Sequence, residues 1–321
     1  MARNTFELKP VSPFRLDLAV WTLRRRPNNV VDRWDGTTYR RVLPLLAGPV
    51  EVAVTQVASP EAARLKVMVV GQPMRAAVRT AVTSALERLL GLPIDLTDFY
   101  QFAAHDRRLG PLAHRFRGMK PPRFATIFEG AINAMACQQL TLTLGIRLLN
   151  HLTVAFGAAF GKGDEVDHGF PRPEDLAQLS PADLRQFGFS RQKSRAMIEL
   201  AQSVAEGHLD LEELAALPDD EAVNRLCELR GIGRWTAEYV LLRGLGRTHI
   251  FPGDDVGARN NLQRWLRLTK PLDYQGVRRV LSRWDDYAGL VYFHLLLDCL
   301  GEAGNLSEPS PQGSVAAIDE S

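Results

Sequence analysis

Through residue 70, apolar residues come in short stretches at 14–18, 39–46, 50–57 and 65–70, separated by the turn formers Asp35-Gly36, Gly48-Pro49 and Ser59-Pro60. Stretches of this length bounded by such residues predict the strands of a small antiparallel sheet. Over 73–90 the pattern changes. Ala77, Val78, Ala81, Val82, Ala85, Leu86 and Leu89 recur every three or four residues and Gly91 follows, which predicts a helix packed on the sheet and stopped by a glycine. The expected unit is an α+β domain over 1–92.

Beyond it strand signals nearly vanish. Apolar periodicity predicts helices at 95–104, 124–137, 140–157, 191–206, 219–229, 236–243, 256–267 and 286–300, joined by Gly, Pro or short polar segments. The fold class is therefore α+β, an N-terminal antiparallel sheet domain with a packed helix followed by an all-α region over 93–307. The glycine-rich segment 157–173, with charges of both signs, is expected to be a surface loop, and 308–321 a disordered tail.

Composition narrows the class. A chain of 321 residues, 45% hydrophobic and 24% charged, is long enough for two domains with proper cores. The apolar runs fall short of the roughly 20 residues that span a bilayer. The start of the chain lacks a secretory apolar stretch, so a cytoplasmic location is expected. Cys137, Cys227 and Cys299 are too scattered for a metal-ligand pair, a disulfide framework or a four-cysteine cluster; no metal and no cofactor are expected. The net charge of +2 hides an asymmetry, for residues 1–120 carry 19 basic against 10 acidic residues and the other 201 carry 20 against 27. Basic clusters at Arg24, Arg25 and Arg26, and at Arg107, Arg108, Arg115, Arg117 and Lys120, could meet phosphates, though each alone is more ordinarily a solvated surface.

The most informative stretch is Leu229-Arg230-Gly231-Ile232-Gly233-Arg234-Trp235-Thr236-Ala237, lying between two helical patterns. Two glycines around one apolar residue permit a tight hairpin with unobstructed amides. Those amides, at the start of the next helix, would attract an anion such as a DNA phosphate. A plain helix-to-helix turn is the competing reading. Twenty residues after Trp235 comes Phe251-Pro252-Gly253-Asp254-Asp255. A carboxylate below a deoxyribose stabilises the positive charge that develops as an N-glycosidic bond breaks, and orients or deprotonates water. Either aspartate could instead cap the helix that starts near Val256.

Together the hairpin and the aspartate loop resemble the helix-hairpin-helix DNA glycosylases, and more narrowly the bacterial 3-methyladenine DNA glycosylase II (AlkA) type. Phe128 to Ile132, Gln138 to Thr141 and Phe187-Gly188 extend the resemblance over most of the chain beyond about residue 110. It implies that Asp255 is the catalytic carboxylate and Asp254 its structural neighbour. It also implies that Trp235 and Tyr239, four residues apart on one helix face, hold a flipped base by stacking and cation–π attraction. The same carry-over puts Trp284, Tyr287 and Phe293 near the base, Phe293 standing where that family often has a Trp. It brings Gln138 and Gln139 to the region that fills the gap left by the flipped nucleotide, with Gln139 or Leu140 as the wedge.

DNA contacts would come from Gly231, Ile232, Gly233, Arg234 and Thr236 of the hairpin, and from Ser190, Arg191 and Lys193 at a second helix start. Relatives that also cleave the strand carry a Lys where Trp235 stands, so a monofunctional enzyme is implied. It would act as a monomer on double-stranded DNA with damaged bases of the 3-methyladenine and 7-methylguanine type, leaving an abasic site. A non-catalytic DNA-binding module and a bifunctional glycosylase/lyase acting on oxidised bases are the alternatives.

Overall fold

The computed structural model describes residues 3–163 and 165–306; the tail expected over 308–321 lies outside them. An antiparallel sheet of order β1-β5-β4-β3-β2 is built from β1 (Arg3–Leu8), β2 (Arg33–Trp34), β3 (Thr38–Leu45), β4 (Gly48–Gln56) and β5 (Leu65–Val70). β3 and β4 pair from Thr38↔Thr55 to Leu45↔Gly48, and β4 pairs with β5 from Glu51↔Val70 to Gln56↔Leu65. Val67 and Val69 are buried while Lys66 is exposed, the alternation of a sheet with one covered face. The cover is α1 (Leu16–Arg24) and α2 (Ala76–Leu90), the latter stopped by left-handed Gly91 as its pattern predicts.

The stretch 14–18 is not a strand. It opens α1, a helix buried almost all round because Leu16, Ala19, Val20 and Leu23 enter the sheet core while Leu18 and Trp21 enter a core of the helical region. A helix with no wet face leaves no polar stripe to read. β1, an edge strand with polar Asn4, Thr5 and Glu7, gave no apolar run either.

The helical region comprises α3 (Thr97–Ala104), α4 (Leu109–Arg115), α5 (Ile127–Cys137), α6 (Leu142–Phe156), α7 (Pro173–Ala177), α8 (Pro181–Arg185), α9 (Arg191–Ala205), α10 (Asp219–Cys227), α11 (Arg234–Val240), α12 (Val256–Leu266), α13 (Tyr274–Leu281) and α14 (Ala288–Glu302). α11 runs on into a π-helical turn, Leu241–Leu245. The segment expected as a loop over 157–173 instead folds as an antiparallel hairpin, β6 (Ala159–Lys162) with β7 (Glu165–His168). Gly161 within β6 and Gly163 just after it take positive φ, and Arg33 of β2 pairs with Asp167 of β7.

α5 is central, with every residue from Ile127 to Ala136 buried. One core groups α5, α6, α9 and α11, another α3, α4, α12, α13 and α14. The sheet domain is fastened to α5 by charge. Arg41 of β3, 1% exposed, bridges Asp32 at 2.7 Å and Glu129 at 2.6 Å, and the Tyr39 hydroxyl donates to Asp32 at 2.8 Å.

Candidate active site

The hairpin sits between α10 and α11. Gly231 has φ +78° and approaches α9 so closely that a Cβ would lie 2.7 Å from the Ala196 Cβ, so glycine is required by backbone and by space alike. Gly233, the residue before α11, has open space around its Cβ position and is exposed, which leaves the first amides of α11 facing solvent. Ile232 is buried as the hairpin's plug. The side chain of Gln138, just past α5, clamps the whole turn, its Nε2 donating to the Gly231 carbonyl at 2.7 Å and to Thr236 Oγ1 at 2.8 Å.

The aspartate loop is held from behind. Buried Glu238 of α11 accepts from the Gly253 amide at 3.1 Å and from the Tyr274 hydroxyl at 2.6 Å. Burial raises the Glu238 carboxyl above its ordinary pKa, and burial with the bond to Glu238 pushes the Tyr274 phenol up to about 12. A Cβ on Gly253 would lie 2.7 Å from the Tyr274 ring, so only glycine fits there. Arg234 stacks 4.0 Å from the Tyr274 ring centroid and bridges Asp254 at 3.1 Å. Nothing in the sequence pattern pointed to Tyr274; Glu238, a carboxylate amid apolar residues of a helix, was a signal left unread.

Asp255 then falls at the N-cap of α12, where Oδ1 accepts from the Ala258 amide at 2.9 Å. Its Oδ2 accepts from the Trp235 indole at 3.3 Å. The two aspartates therefore divide the work differently from the expectation, since the helix cap belongs to Asp255 and Asp254 answers Arg234. Trp235 is half-buried, and its ring centroid lies 5.7 Å from that of Tyr239, which is packed on Phe124.

Of three further aromatics of the sequence reading, Trp284 and Tyr287 are not gathered with this pair, and Phe293 meets it only through Arg243, whose guanidinium also lies over the Tyr239 ring at 5.7 Å. Trp284, 1% exposed, donates its indole N–H to Asp106 at 2.9 Å and packs on Trp265. Tyr287 packs on Phe99 and Phe102 of α3. Phe293 is fully buried under the Arg243 guanidinium. On α14 it is the preceding residue, Tyr292, that feels the charge of Asp255, and burial followed by that charge raises its phenol well above the usual value.

The basic runs divide, for Arg107, Arg108, Arg115 and Arg117 are exposed as a solvated surface requires, while Arg24, Arg25 and Lys120 are buried. Arg24 is buried against the Trp21 ring and donates to the Trp34 carbonyl. Arg25, 4% exposed, reaches Tyr239 and Asn133. Lys120 is buried on the Ile94 carbonyl at 2.6 Å. Arg107, Arg115 and Arg117 line an open cleft of about 940 Å³ along α3 and α4, none of whose residues belongs to the Asp255 site.

At the start of α9, Ser190 caps the helix by accepting from the Lys193 amide at 3.3 Å, and Arg191 is exposed. The Lys193 ammonium is engaged by the carbonyls of Ala136 at 3.1 Å and Gln138 at 2.6 Å, and burial lowers its pKa. Gln139 takes φ +55° and is exposed together with Leu140. Among the described residues no three His, Cys, Asp or Glu side chains gather as metal ligands, and no helix is long and apolar enough to cross a membrane.

The hairpin with open amides and the carboxylate held against an indole both lie within residues 132–285, which match the family described as HhH-GPD superfamily base excision DNA repair protein. The chain belongs to that superfamily. It is 30% identical over 165 residues to DNA-3-methyladenine glycosylase 1 of Schizosaccharomyces pombe, covering 51% of this chain and 68% of the relative. It is 31% identical over 170 residues to a putative DNA-3-methyladenine glycosylase of Bacillus subtilis, covering 53% of this chain and only 58% of that relative's own length. The structure is similar to that of a 3-methyladenine DNA glycosylase from Archaeoglobus fulgidus, with a TM-score of 0.79 at 26% identity over 91% of this chain and 97% of the other.

Proposed function

We propose that this protein is a monofunctional DNA glycosylase that extrudes an alkylated base from duplex DNA and hydrolyses its N-glycosidic bond with Asp255 and water. The observation that carries the reading is the carboxylate of Asp255, fixed on one oxygen by the helix α12 amide and on the other by the Trp235 indole. Each oxygen keeps a lone pair beyond those bonds. As the C1′–N bond breaks, its electron pair leaves with the base and the sugar becomes oxocarbenium-like. A fixed anion stabilises that charge without reorganising, and accepts the proton of the water that adds to C1′. An abasic site remains.

The hairpin amides and Arg234 clasp a phosphate, Ser190 and Arg191 hold a second, and Gln139 and Leu140 enter the space the flipped nucleotide vacates. Trp235 and Tyr239 stack on the extruded base. The names of the relatives make 3-methyladenine the lesion to assay first, and the resemblance to the AlkA type adds 7-methylguanine. Strand cleavage would need an amine at the sugar; Trp235 supplies none, and the Lys193 ammonium is engaged by two carbonyls.

Asp255→Asn tests the reading, because Asn caps a helix about as well as Asp while the charge is removed, together with the acceptor that Oδ2 offers the Trp235 indole. Base release from alkylated duplex should fall by about 10²- to 10⁴-fold while binding to DNA holding an abasic-site analogue persists. Undiminished turnover would sink the mechanism, and a borohydride-trapped enzyme–DNA adduct would revive the lyase reading.

A further inference from the structure

The base-stacking face has a neighbour from the other domain. Arg25 ends α1 in the left-handed conformation, φ +59°, and carries its guanidinium inward. Nη1 donates to the Tyr239 hydroxyl oxygen at 2.8 Å and Nη2 to Asn133 Oδ1 at 2.7 Å. The side chain is 4% exposed and has no carboxylate within ion-pairing distance among the described residues, and the Phe124 ring lies 5.6 Å away.

The direction of every bond here is fixed. A guanidinium has donors and no acceptor. The Asn133 amide cannot be reversed, for its Nδ2 already donates to the Glu129 carbonyl at 3.0 Å. The Tyr239 oxygen must therefore accept from Arg25, so its own hydrogen points elsewhere. Among the described residues that hydrogen meets no acceptor, although Tyr239 is buried. A buried donor left unmet is costly unless a ligand answers it, and the ring that carries it lies against Trp235, centroid to centroid 5.7 Å.

We infer that Arg25 is a positioning residue that turns the Tyr239 hydroxyl into an obligate donor toward the extruded base, so that the enzyme stabilises leaving bases that depart with negative charge. This rests on the glycosylase reading above. A cationic base such as 7-methylguanine takes up the bonding electron pair and leaves neutral, needing no donor. A neutral purine leaves as an anion whose charge spreads onto its ring nitrogens and carbonyl oxygen. There a hydrogen bond from Tyr239, polarised by the guanidinium behind it, strengthens as the bond breaks.

The test uses the full chain and two duplexes that differ only in the target base, 7-methylguanine or hypoxanthine, with single-turnover release and DNA affinity measured separately. Arg25→Gln should slow hypoxanthine release about tenfold or more, change 7-methylguanine release less than about threefold and leave affinity for abasic-analogue DNA intact, and Tyr239→Phe should slow hypoxanthine release about tenfold or more beyond its effect on 7-methylguanine. The double variant should be no slower than Tyr239→Phe alone, since Arg25 acts through that hydroxyl, and Arg25→Lys should recover part of the loss. Equal slowing on both bases, additive losses, or a wild type that releases 7-methylguanine but no hypoxanthine would each overturn the inference while leaving the glycosylase reading standing. Should Arg25→Gln fail to fold, Tyr239→Phe and Arg25→Lys carry the same comparison. A wild type releasing neither base, with Asp255→Asn indistinguishable from it, would instead strike the glycosylase reading.

Discussion

Two buried arginines of the sheet domain meet helix α5 one turn apart, and they solve the problem of burial in opposite ways. Arg41 lies between two carboxylates, Asp32 and Glu129, at 2.7 and 2.6 Å. Arg25, four residues along α5 at Asn133, meets the neutral oxygens of Tyr239 and Asn133, the Cys137 thiol and an aromatic face. A buried cation between carboxylates is held in place, and removing it strands two anions. A buried cation with neutral partners projects its field into whatever space adjoins it. The contrast separates the seam that joins the two halves from the part of that seam that faces the candidate active site. His294 of α14 offers a third solution, since burial lowers its pKa to about 4 and it stays neutral on the Leu290 carbonyl.

Arg41→Leu would sharpen the contrast most, with an expected loss of about 3–5 kcal/mol in urea unfolding because Asp32 and Glu129 lose their cation. A loss under about 1 kcal/mol would erase the distinction between the two arginines. Next comes His294. Its folded pKa of about 4 lies below the unfolded value near 6.5, so its contribution is complete above pH 6.5 and is lost as pH falls toward 4. The shift corresponds to about 3 kcal/mol. Comparing unfolding free energies at pH 7 and pH 4.5 in wild type and His294→Leu should show a shallower acid loss in the variant. Parallel pH profiles would mean that folding leaves the His294 pKa unshifted.

Arg25→Gln should move unfolding free energy by no more than about 1 kcal/mol, since no anion is stranded when it goes; a collapse like that of Arg41→Leu would make the two arginines equivalent. The smallest effect is expected at Asp254→Asn, which breaks the part-exposed bridge to Arg234 at a cost of about 0.2–1 kcal/mol and leaves base release within a few-fold. That outcome, set beside Asp255→Asn, would separate two neighbouring carboxylates that composition alone cannot.

What could be read from the sequence was local. The glycines at 231 and 253 are required by close approaches to Ala196 and Tyr274, and such requirements leave their mark in a short stretch of chain. So did most helices of the second half, each with one wet face. α1 was misread because it has no wet face, and the hairpin over 159–168 because its glycines and charges mask its pairing. The site aromatics divide the same way. Trp235 and Tyr239 share a helix face, which their spacing alone shows, whereas the surroundings of Trp284 and Tyr287 depend on how the turn before α14 lies against α3 and Asp106 after it. Arg25 was out of reach altogether, because it meets Tyr239 across 214 residues of chain.

The Gln138 clamp has a mechanical consequence. One amide nitrogen ties the base of the exposed Gln139-Leu140 tip to both ends of the glycine hairpin, so tip and hairpin translate together, like the jaws of a caliper locked at one opening. On the glycosylase reading proposed above, a duplex that keeps its stacking under that gauge would push both jaws away at once and one that yields would admit both, so rejection and engagement would be a single event instead of two independent fits.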